Sequence, residues 1–478
     1  MIRPHRRYRA LDKDLGRLSM AETARFHLSR PVLRLGAGIL VGVALILLAL
    51  GLTGRQPGLV VMGAGLLVGG WLGLSIGAND VANVLGPAVG AGAVALGPGL
   101  ALVALAEVAG AVMAGRAVAD RLALGIVDQT LLAAGSAPVM MLAALIAAAG
   151  WITLATGAGL PVSTSHSIVG AIAGAGLAAG GAQAVSWPAL AVMALAWVVT
   201  PLLAAALAGA LLALLRVKVL EARDRVAAVR RWLPPLIGAT IGLFVAFVAT
   251  RLPGLPAGPA PVLLPGAAAG LATALMMRRR LDRLRAGAAD ATPGLKRLLG
   301  QPLLLAAVMM AFAHGAGDAG NVAGPLMVIL APGAPGGAPV PLLPLALGGV
   351  AIALGAAVFG RRLIVLVGTG ITRLNPARAL CITLSTAAII LVAAVLGLPV
   401  SSTHVAVGGV FGVGFAREAL ERRSGASPVS LPAAERRRRH LIRRSHVVTI
   451  TAAWIVTVPA TALLGALCCR AMLRLTGI

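Results

Sequence analysis

Charged side chains are scarce in this chain of 478 residues, in which Asp, Glu, Lys and Arg together make up 12%. A soluble domain carries about 25% charged residues, so the composition excludes an ordinary soluble protein. Hydrophobic residues account for 59% of the chain, and the mean hydropathy is +0.95. Many apolar stretches are long enough to cross a hydrocarbon core of about 30 Å. Among them are residues 35–52, 137–156, 189–215, 236–250, 340–359, 379–397 and 447–468.

The chain also lacks the alternation of apolar and polar residues, over about ten positions, that is typical of strands in a membrane barrel. Helices are then the structures that satisfy the backbone polar groups inside lipid, so the sequence predicts an all-α polytopic membrane protein. Cysteine is rare as well: Cys381, Cys468 and Cys469 lie in apolar segments without metal-ligand spacing. We therefore expect no disulfide framework.

Acidic residues number only 15 against 41 Lys and Arg, which gives a net charge of +26. Of the basic residues, 31 lie in four blocks that alternate with apolar spans, as cytoplasmic loops do under the positive-inside rule. This distribution argues against nucleic acid as a partner. It predicts a multi-pass protein of the plasma membrane with a cytoplasmic N-terminus, whose basic runs contact anionic membrane lipids. The blocks are residues 1–34, 216–231, 278–297 and 417–444.

Two motifs occur twice, and the offset between the copies is identical at every matched position, so that Asp80 corresponds to Asp318 and Ser163 to Ser401. GANDVANVLGP (77–87) returns as GAGDAGNVAGP (315–325), and LPVSTSHSIVGAIAGAG (160–176) returns as LPVSSTHVAVGGVFGVG (398–414). A duplication that preserves carboxylates, amides and hydroxyls in so apolar a chain predicts one binding site built from two halves, as in secondary transporters with inverted repeats.

The repeats divide the chain into five predicted segments. A basic cytoplasmic arm with an extra transmembrane helix precedes transport repeat 1, and central basic loops with two connecting helices separate it from transport repeat 2. A basic loop and a terminal transmembrane helix follow. The segments are residues 1–57, 58–216, 217–300, 301–416 and 417–478.

Asp80 and Asp318 occupy equivalent positions in the first motif. An aspartate in the middle of a spanning helix costs about 2.5–3.5 kcal/mol, so two retained copies need a cation, a proton or a hydrogen-bonding substrate as partner. Flanking glycines predict a helix break there. Its free carbonyls, together with Asn79, Asn83 and Asn321, would suit a hard monovalent cation such as Na⁺. The alternative is a carboxylate satisfied only by hydrogen bonds between helices.

The second motif predicts a helix that starts near the bilayer midplane. Pro161 and Pro399 suit the first turn of a helix. The free N–H groups and hydroxyls at such a start form a nest of donors for a small oxyanion. Taken singly, each motif is an ordinary helix N-cap, and only the duplication in register favours the anion site. The hydroxyl-bearing residues are Ser163, Thr164, Ser165, Ser401, Ser402 and Thr403.

These motifs resemble those of the inorganic phosphate transporter family, cation-coupled phosphate symporters with a GANDVAN and a PVSTTH segment in each half. The similarity includes VAGAVMAGRAVADRL (108–122) and GRRLIVLVGTGITRLNPARAL (360–380), and it covers about 58–216 and 301–470. The resemblance implies spanning helices with broken segments and two re-entrant hairpins, import of inorganic phosphate with Na⁺ or H⁺, no enzymatic activity, no cofactor and a homodimer.

Carried onto this chain, the resemblance assigns a ligand set to each ion. The implied phosphate ligands are Asp80, Ser163, Thr164, Ser165, Asp318, Ser401, Ser402 and Thr403. The implied cation ligands are Asn79, Asn83 and Asn321, with neighbouring carbonyls. Gly317 departs from the family pattern, because an asparagine is expected there, and its absence weakens one cation site.

Three other functions compete with phosphate symport. A sulfate symporter of the same fold is one, although carboxylates beside the anion favour a partly protonated phosphate, which donates a hydrogen bond that sulfate lacks. An anion channel is the second. The third, a hydrolase using Ser163 and His166, is weak because the two residues lie three apart on one turn.

Four further ionisable residues have open roles. His166, His404 and His314 are either proton carriers or neutral histidines that are hydrogen-bonded within the fold. Glu107 has no acidic counterpart, because the equivalent position is Leu345. It is expected either to neutralise Arg116 or to join the cation path.

Overall fold

A computed structural model of the chain describes residues 58–157, 162–252, 258–286, 295–331, 341–366, 375–423 and 444–477, together with the single positions 36 and 256. Apart from Gly36, the predicted basic arm and the predicted extra transmembrane helix at 35–53 lie outside the described residues. Most of the last basic loop also lies outside them.

Within the described residues the chain forms helices and one isolated β-bridge, between Val127 and Val185, which confirms the all-α prediction. The helices are α1 (Gly58–Gly90), α2 (Leu96–Ala114), α3 (Arg116–Leu124), α4 (Ser136–Gly157), α5 (Thr164–Gly180), α6 (Trp187–Leu215), α7 (Arg225–Ala249), α8 (Ala260–Ala286), α9 (Leu295–Asp318), α10 (Gly320–Leu330), α11 (Leu342–Leu366), α12 (Pro376–Val395), α13 (Ser402–Arg423) and α14 (Arg444–Thr476).

Ten segments of the described chain are long and apolar enough to cross a membrane, which confirms a polytopic membrane protein. They include α7 and α8, the two predicted connecting helices, and they count α9 with α10 as one span, Leu298–Leu330. Helices α3, α5 and α13 are not among them. With 17 residues, α5 rises about 25 Å, less than the hydrocarbon core.

The two repeats interleave rather than lie side by side. Helix α1 of the first repeat packs along α11 of the second, and α9 of the second packs along α2 of the first. Helix α13 of the second repeat packs along α6 of the first, and α5 of the first repeat packs along α14 of the terminal segment. By the offset between the motif copies, α1 corresponds to α9 and α10, and α5 corresponds to α13. The contact of α1 with α11 therefore has a counterpart in the contact of α9 with α2. That the two halves have opposite orientations in the membrane stays a prediction.

Glycines at equivalent positions let the second-motif helices approach their neighbours. A Cβ atom on Gly174 of α5 would overlap the carbonyl oxygen of Ala462 in α14. A Cβ atom on Gly412 of α13, the repeat counterpart of Gly174, would overlap the carbonyl oxygen of Ala205 in α6. Such small residues permit the close backbone contact on which helix packing in membranes depends. The glycine-rich part of the second motif therefore anchors α5 and α13.

The predicted helix break at the first motif is wrong for the first repeat. Helix α1 is continuous from Gly58 to Gly90 and passes through Asp80. In the second repeat a single residue, Ala319, separates α9 from α10. The flanking glycines serve another purpose: a Cβ atom on Gly77 would overlap the carbonyl oxygen of Ile352. Because glycine here admits a crossing helix, α1 passes through the motif without a break.

The second motif does interrupt its helices. Helix α12 ends at Val395, and α13 begins at Ser402 after a turn in which Gly397 has φ +64°, a conformation that favours glycine. In the first repeat α4 ends at Gly157 and α5 begins at Thr164, and Pro161 between them lies outside the described residues. That these turns are re-entrant in a membrane stays a prediction.

We expect Gly412→Leu to lower the melting temperature of the purified protein clearly, because overpacking of a tight contact costs about 1–3 kcal/mol. The matched control is Gly63→Leu, since a Cβ atom on Gly63 meets nothing within 4 Å. Thermal unfolding in detergent measures both variants. Equal melting temperatures for the two would contradict the proposed anchoring of α13.

Candidate functional site

The serine-rich start of α13 reaches across to the aspartate of the first repeat. Thr403 Oγ1 donates a hydrogen bond of 3.0 Å to Asp80 Oδ1, and Asn83 Nδ2 donates one of 2.9 Å to Thr403 Oγ1. Asp80 and Asn83 share one face of α1, since they lie three residues apart. A carboxylate, an amide and a hydroxyl thus join repeat 1 to the hairpin of repeat 2.

An equivalent network joins the aspartate of repeat 2 to the serine-rich start of α5 in repeat 1. Asn321 Nδ2 donates to Asp318 Oδ1 at 3.0 Å and approaches Ser165 Oγ at 3.3 Å. Ser165 Oγ lies 3.5 Å from the same Asp318 oxygen. Each member is the repeat counterpart of one in the first network: Asp318 corresponds to Asp80, Asn321 to Asn83, and Ser165 to Thr403. The structure therefore brings predicted site residues of both repeats together, because each repeat places a hydroxyl group beside the aspartate of the other.

The two hairpin tips touch each other. Ser165 Oγ donates a 3.1 Å hydrogen bond to the carbonyl oxygen of Val400, and Trp197 Nε1 donates a 2.8 Å hydrogen bond to that of Pro399. The rings of His166 and His404, which are repeat counterparts, lie 4.8 Å apart edge to face. Corresponding residues of the two second motifs thus face each other. Both histidines are buried, and both pack within the fold.

Both predicted N-caps are present. Ser163 Oγ accepts a hydrogen bond from the N–H of His166 at 3.2 Å, and Ser401 Oγ accepts one from the N–H of His404 at 3.4 Å. A cap uses a lone pair of the hydroxyl oxygen, so the O–H proton is still available as a donor. Thr164 and Ser402 follow in the first turns, where backbone N–H groups lack intrahelical partners. The donor groups predicted for an anion thus lie together.

A histidine lies between the two aspartates. His314 Nε2 is 3.3 Å from Asp318 Oδ2 and 3.8 Å from Asp80 Oδ2. Each aspartate therefore turns one oxygen to a hairpin hydroxyl and the other to the imidazole. The ligand atoms of these three side chains lie within 4.8 Å of one another. Hard cations prefer oxygen ligands, and this group includes an imidazole nitrogen. We therefore interpret it as a cluster of acidic side chains around a histidine and not as a cation site.

Glu107 completes this cluster, and sequence reasoning missed its role. Its Oε1 lies 2.8 Å from His314 Nδ1, and both side chains are fully buried. Of the two roles left open for Glu107, neutralisation of Arg116 is wrong, since Arg116 instead lies 3.8 Å from Asp120. A place of Glu107 in the cation path stays a prediction. Repeat symmetry offered no signal, because neither Glu107 nor His314 has an ionisable counterpart. The available signal was that each is an ionisable residue within an apolar span.

Asn321 is the amide best placed to serve a cation. It is fully buried, its Nδ2 is occupied by Asp318 and Ser165, and its Oδ1 has no hydrogen-bond partner among the described residues. An orphaned buried carbonyl oxygen is costly unless something such as a cation satisfies it. Asn83 and Asn79 are half-buried on α1. The predicted amide ligands therefore fit a small hard cation at Asn321 most clearly.

The position equivalent to Asn79 is Gly317, where the chain departs from the expected pattern. A Cβ atom on Gly317 would lie 3.3 Å from Ile390 Cγ2, so a side chain here requires a small shift of Ile390. The two halves therefore differ in their oxygen ligands: α1 contributes two amides beside its aspartate, and the second repeat contributes one.

We expect Thr403→Val to destabilise the protein by about 1–3 kcal/mol, because it leaves the buried carboxylate of Asp80 and the half-buried amide of Asn83 without their shared hydroxyl. Thr403→Ser is the matched control, since it keeps the hydroxyl and removes only a methyl group. Thermal unfolding of the purified variants measures the difference. A valine variant as stable as the serine variant would show that the hydroxyl does not hold the two repeats together.

Comparison with known proteins places these features in a family. The sequence profile described as the phosphate transporter family matches residues 76–465. A phosphate permease of Helicobacter pylori (strain J99) is 35% identical over 415 residues, which cover 84% of this chain and 78% of the relative. Inorganic phosphate transporter 2-1, chloroplastic, of Arabidopsis thaliana is 33% identical, over 84% of this chain and 70% of the relative.

A solved structure titled "The sodium-dependent phosphate transporter" is similar to most of the chain. It superposes with a TM-score of 0.75 at 30% identity and covers 86% of this chain and 98% of its own. The profile match extends over both copies of both motifs, and the relatives agree with the expectation that the chain is not an enzyme. The chain belongs to the phosphate transporter family.

Proposed function

We propose that the protein imports inorganic phosphate by symport with Na⁺ or H⁺. The observation that carries the proposal is that a hydroxyl group of each repeat contacts the aspartate of the other repeat. Thr403 contacts Asp80, and Ser165 contacts Asp318. A site shared by two repeats opens when one repeat moves against the other, which is the basis of alternating access. Membership of the phosphate transporter family supports the same substrate.

The chemistry of the hairpin tips supports a tetrahedral oxyanion. Two helix starts, on α5 and α13, meet with their hydroxyls and first-turn N–H groups, so positive dipole ends and hydrogen-bond donors converge. We assign the anion to Ser163, Thr164, Ser165, Ser401, Ser402 and Thr403, with Asp80 and Asp318 as acceptors for a protonated phosphate oxygen. Sulfate has no proton to donate to these carboxylates, which favours phosphate.

Electrostatics supports obligatory cation coupling. Asp80, Asp318 and Glu107 are three buried carboxylates that share one imidazole. A phosphate anion added to this group experiences like-charge repulsion that low dielectric strengthens, so cations or protons must enter with it. We assign Na⁺ to the oxygens of Asn79, Asn83 and Asn321. The sodium dependence named for the similar solved structure supports this assignment.

The proposal includes the setting of the protein. We infer a plasma-membrane location with a cytoplasmic N-terminus from the basic blocks, contacts of those blocks with anionic lipids, and a homodimer from the family resemblance. None of these features is needed for the chemistry of the site.

We expect Asp80→Asn and Asp318→Asn each to abolish uptake of labelled phosphate in proteoliposomes under imposed sodium and proton gradients. The reason is that each removes an acceptor for phosphate and a charge that retains the coupling cation. Asp120→Asn is the matched control, because that aspartate is half-buried on α3 beside Arg116 and is not a member of the His314 cluster. Near-normal uptake by either site variant would rule out the carboxylate role.

The same assay separates the competing functions. Excess sulfate should leave phosphate uptake unchanged, whereas strong competition would favour a sulfate symporter. Phosphate should accumulate against its gradient, and an ionophore should abolish the accumulation. Uptake that only equilibrates phosphate would indicate an anion channel.

We expect Gly317→Asn to increase the dependence of uptake on sodium, because it supplies the amide oxygen that the second repeat lacks. Gly317→Val is the matched control: it contacts Ile390 in the same way and adds no oxygen. Uptake is measured against sodium concentration for both variants. An identical sodium response in the asparagine and valine variants would reject this account of Gly317.

A further inference from the structure

Two buried ionisable residues break the symmetry of the site, and they contact each other. Glu107 corresponds to Leu345 in the second repeat, and His314 corresponds to Ile76 in the first. Each alone looks like an isolated polar residue in an apolar span. Together they form the 2.8 Å contact between Glu107 Oε1 and His314 Nδ1, with zero exposure of either side chain. The pair therefore adds a buried contact between a carboxylate and an imidazole, which the duplicated residues do not supply.

The contact with Glu107 determines which way the imidazole presents its second nitrogen. Where Glu107 is ionised, its carboxylate accepts at Nδ1, so Nδ1 carries a proton; Nε2 faces the two aspartates. If Nε2 had no proton, its lone pair would face carboxylate oxygens at 3.3 Å and 3.8 Å, and acceptors facing acceptors repel. A proton on Nε2 turns both distances into attractive ion pairs. The closed arrangement of the site therefore favours a protonated His314.

We propose that one coupling ion is a proton that binds at His314 Nε2, with Glu107 as the positioning residue that orients the ring and balances its charge. The proton binds together with phosphate on the outer side and is released with it on the inner side. No covalent bond to phosphate forms or breaks. This inference rests on the proposed phosphate symport and specifies the ion for that same site.

The surroundings of the imidazole support a proton at this position. A second carboxylate oxygen, Glu107 Oε2, has no hydrogen-bond partner among the described residues, so the site carries more negative charge than its hydrogen bonds satisfy. The ionisable groups that face His314 are Asp80 from α1, Glu107 from α2 and Asp318 from α9 itself. Helix α12 also packs along α9 and carries Arg378 and Cys381 as its ionisable side chains.

The test separates exchange from accumulation in proteoliposomes. Exchange of internal for external labelled phosphate does not require release of the coupling proton, whereas accumulation driven by a proton gradient does. For His314→Gln we expect accumulation driven by a proton gradient to fall to the level of protein-free liposomes while exchange persists. For Glu107→Gln, which keeps a hydrogen-bond acceptor but removes the charge, we expect uptake to require a lower pH than in the wild type.

The controls distinguish this inference from the proposed function. Asp120→Asn should keep both activities, because it neutralises a carboxylate that is not a member of the His314 cluster. If the wild type neither exchanges nor accumulates phosphate, the proposed function itself fails. If His314→Gln retains accumulation driven by a proton gradient, or if Glu107→Gln keeps the wild-type pH profile, the proton site is overturned and phosphate symport is not.

A measurement on the wild type covers the case in which a variant does not fold. A pH-sensitive dye is enclosed in proteoliposomes without sodium, at an alkaline pH on both sides where phosphate is the dianion. Phosphate uptake should then acidify the interior, because the co-transported proton is released there. Uptake that needs sodium and leaves the internal pH unchanged would overturn the proton site.

Discussion

The contact between a hairpin hydroxyl of one repeat and the aspartate of the other is the interaction on which the site depends. Thr403 donates to Asp80, and Ser165 approaches Asp318, so each aspartate has a hydroxyl partner from the other half of the chain. A carboxylate inside an apolar bundle is expensive without such a partner. Separation of the two halves would therefore remove a hydroxyl partner from each carboxylate.

Close helix packing makes these short contacts possible. Gly174 and Gly412 bring α5 and α13 against their neighbours, and Gly77 brings α11 against α1 beside Asp80. Lipid supplies little hydrophobic force between helices, so van der Waals contact across small residues provides the cohesion. Since the glycines occupy equivalent positions in α5 and α13, the two hairpin starts are held in the same way. The polar groups thus meet within a rigid apolar frame.

The candidate site combines side chains that occur in both repeats with side chains that occur only once. The hydroxyls, amides and aspartates come in pairs, but Glu107 and His314 occur once and lie between the pairs. A symmetric cluster of carboxylates would repel an anion equally from both sides. A single imidazole between them supplies a donor that serves both aspartates. Gly317 adds a second asymmetry, because the oxygen ligands on the two repeats are unequal.

The amino-acid sequence by itself determined the all-α membrane architecture, the two repeats and the pairing of Asp80 with Asp318, because hydropathy, duplication and residue type are local properties of the chain. The sequence also predicted a break in α1 that the structure does not have. A glycine in a sequence does not show whether it ends a helix or makes room for a neighbouring helix. Only the tertiary structure decided that Glu107 meets His314. Their contact joins residues 207 apart in sequence, and the crossing of α2 with α9 that creates it leaves no periodic or repeated signal.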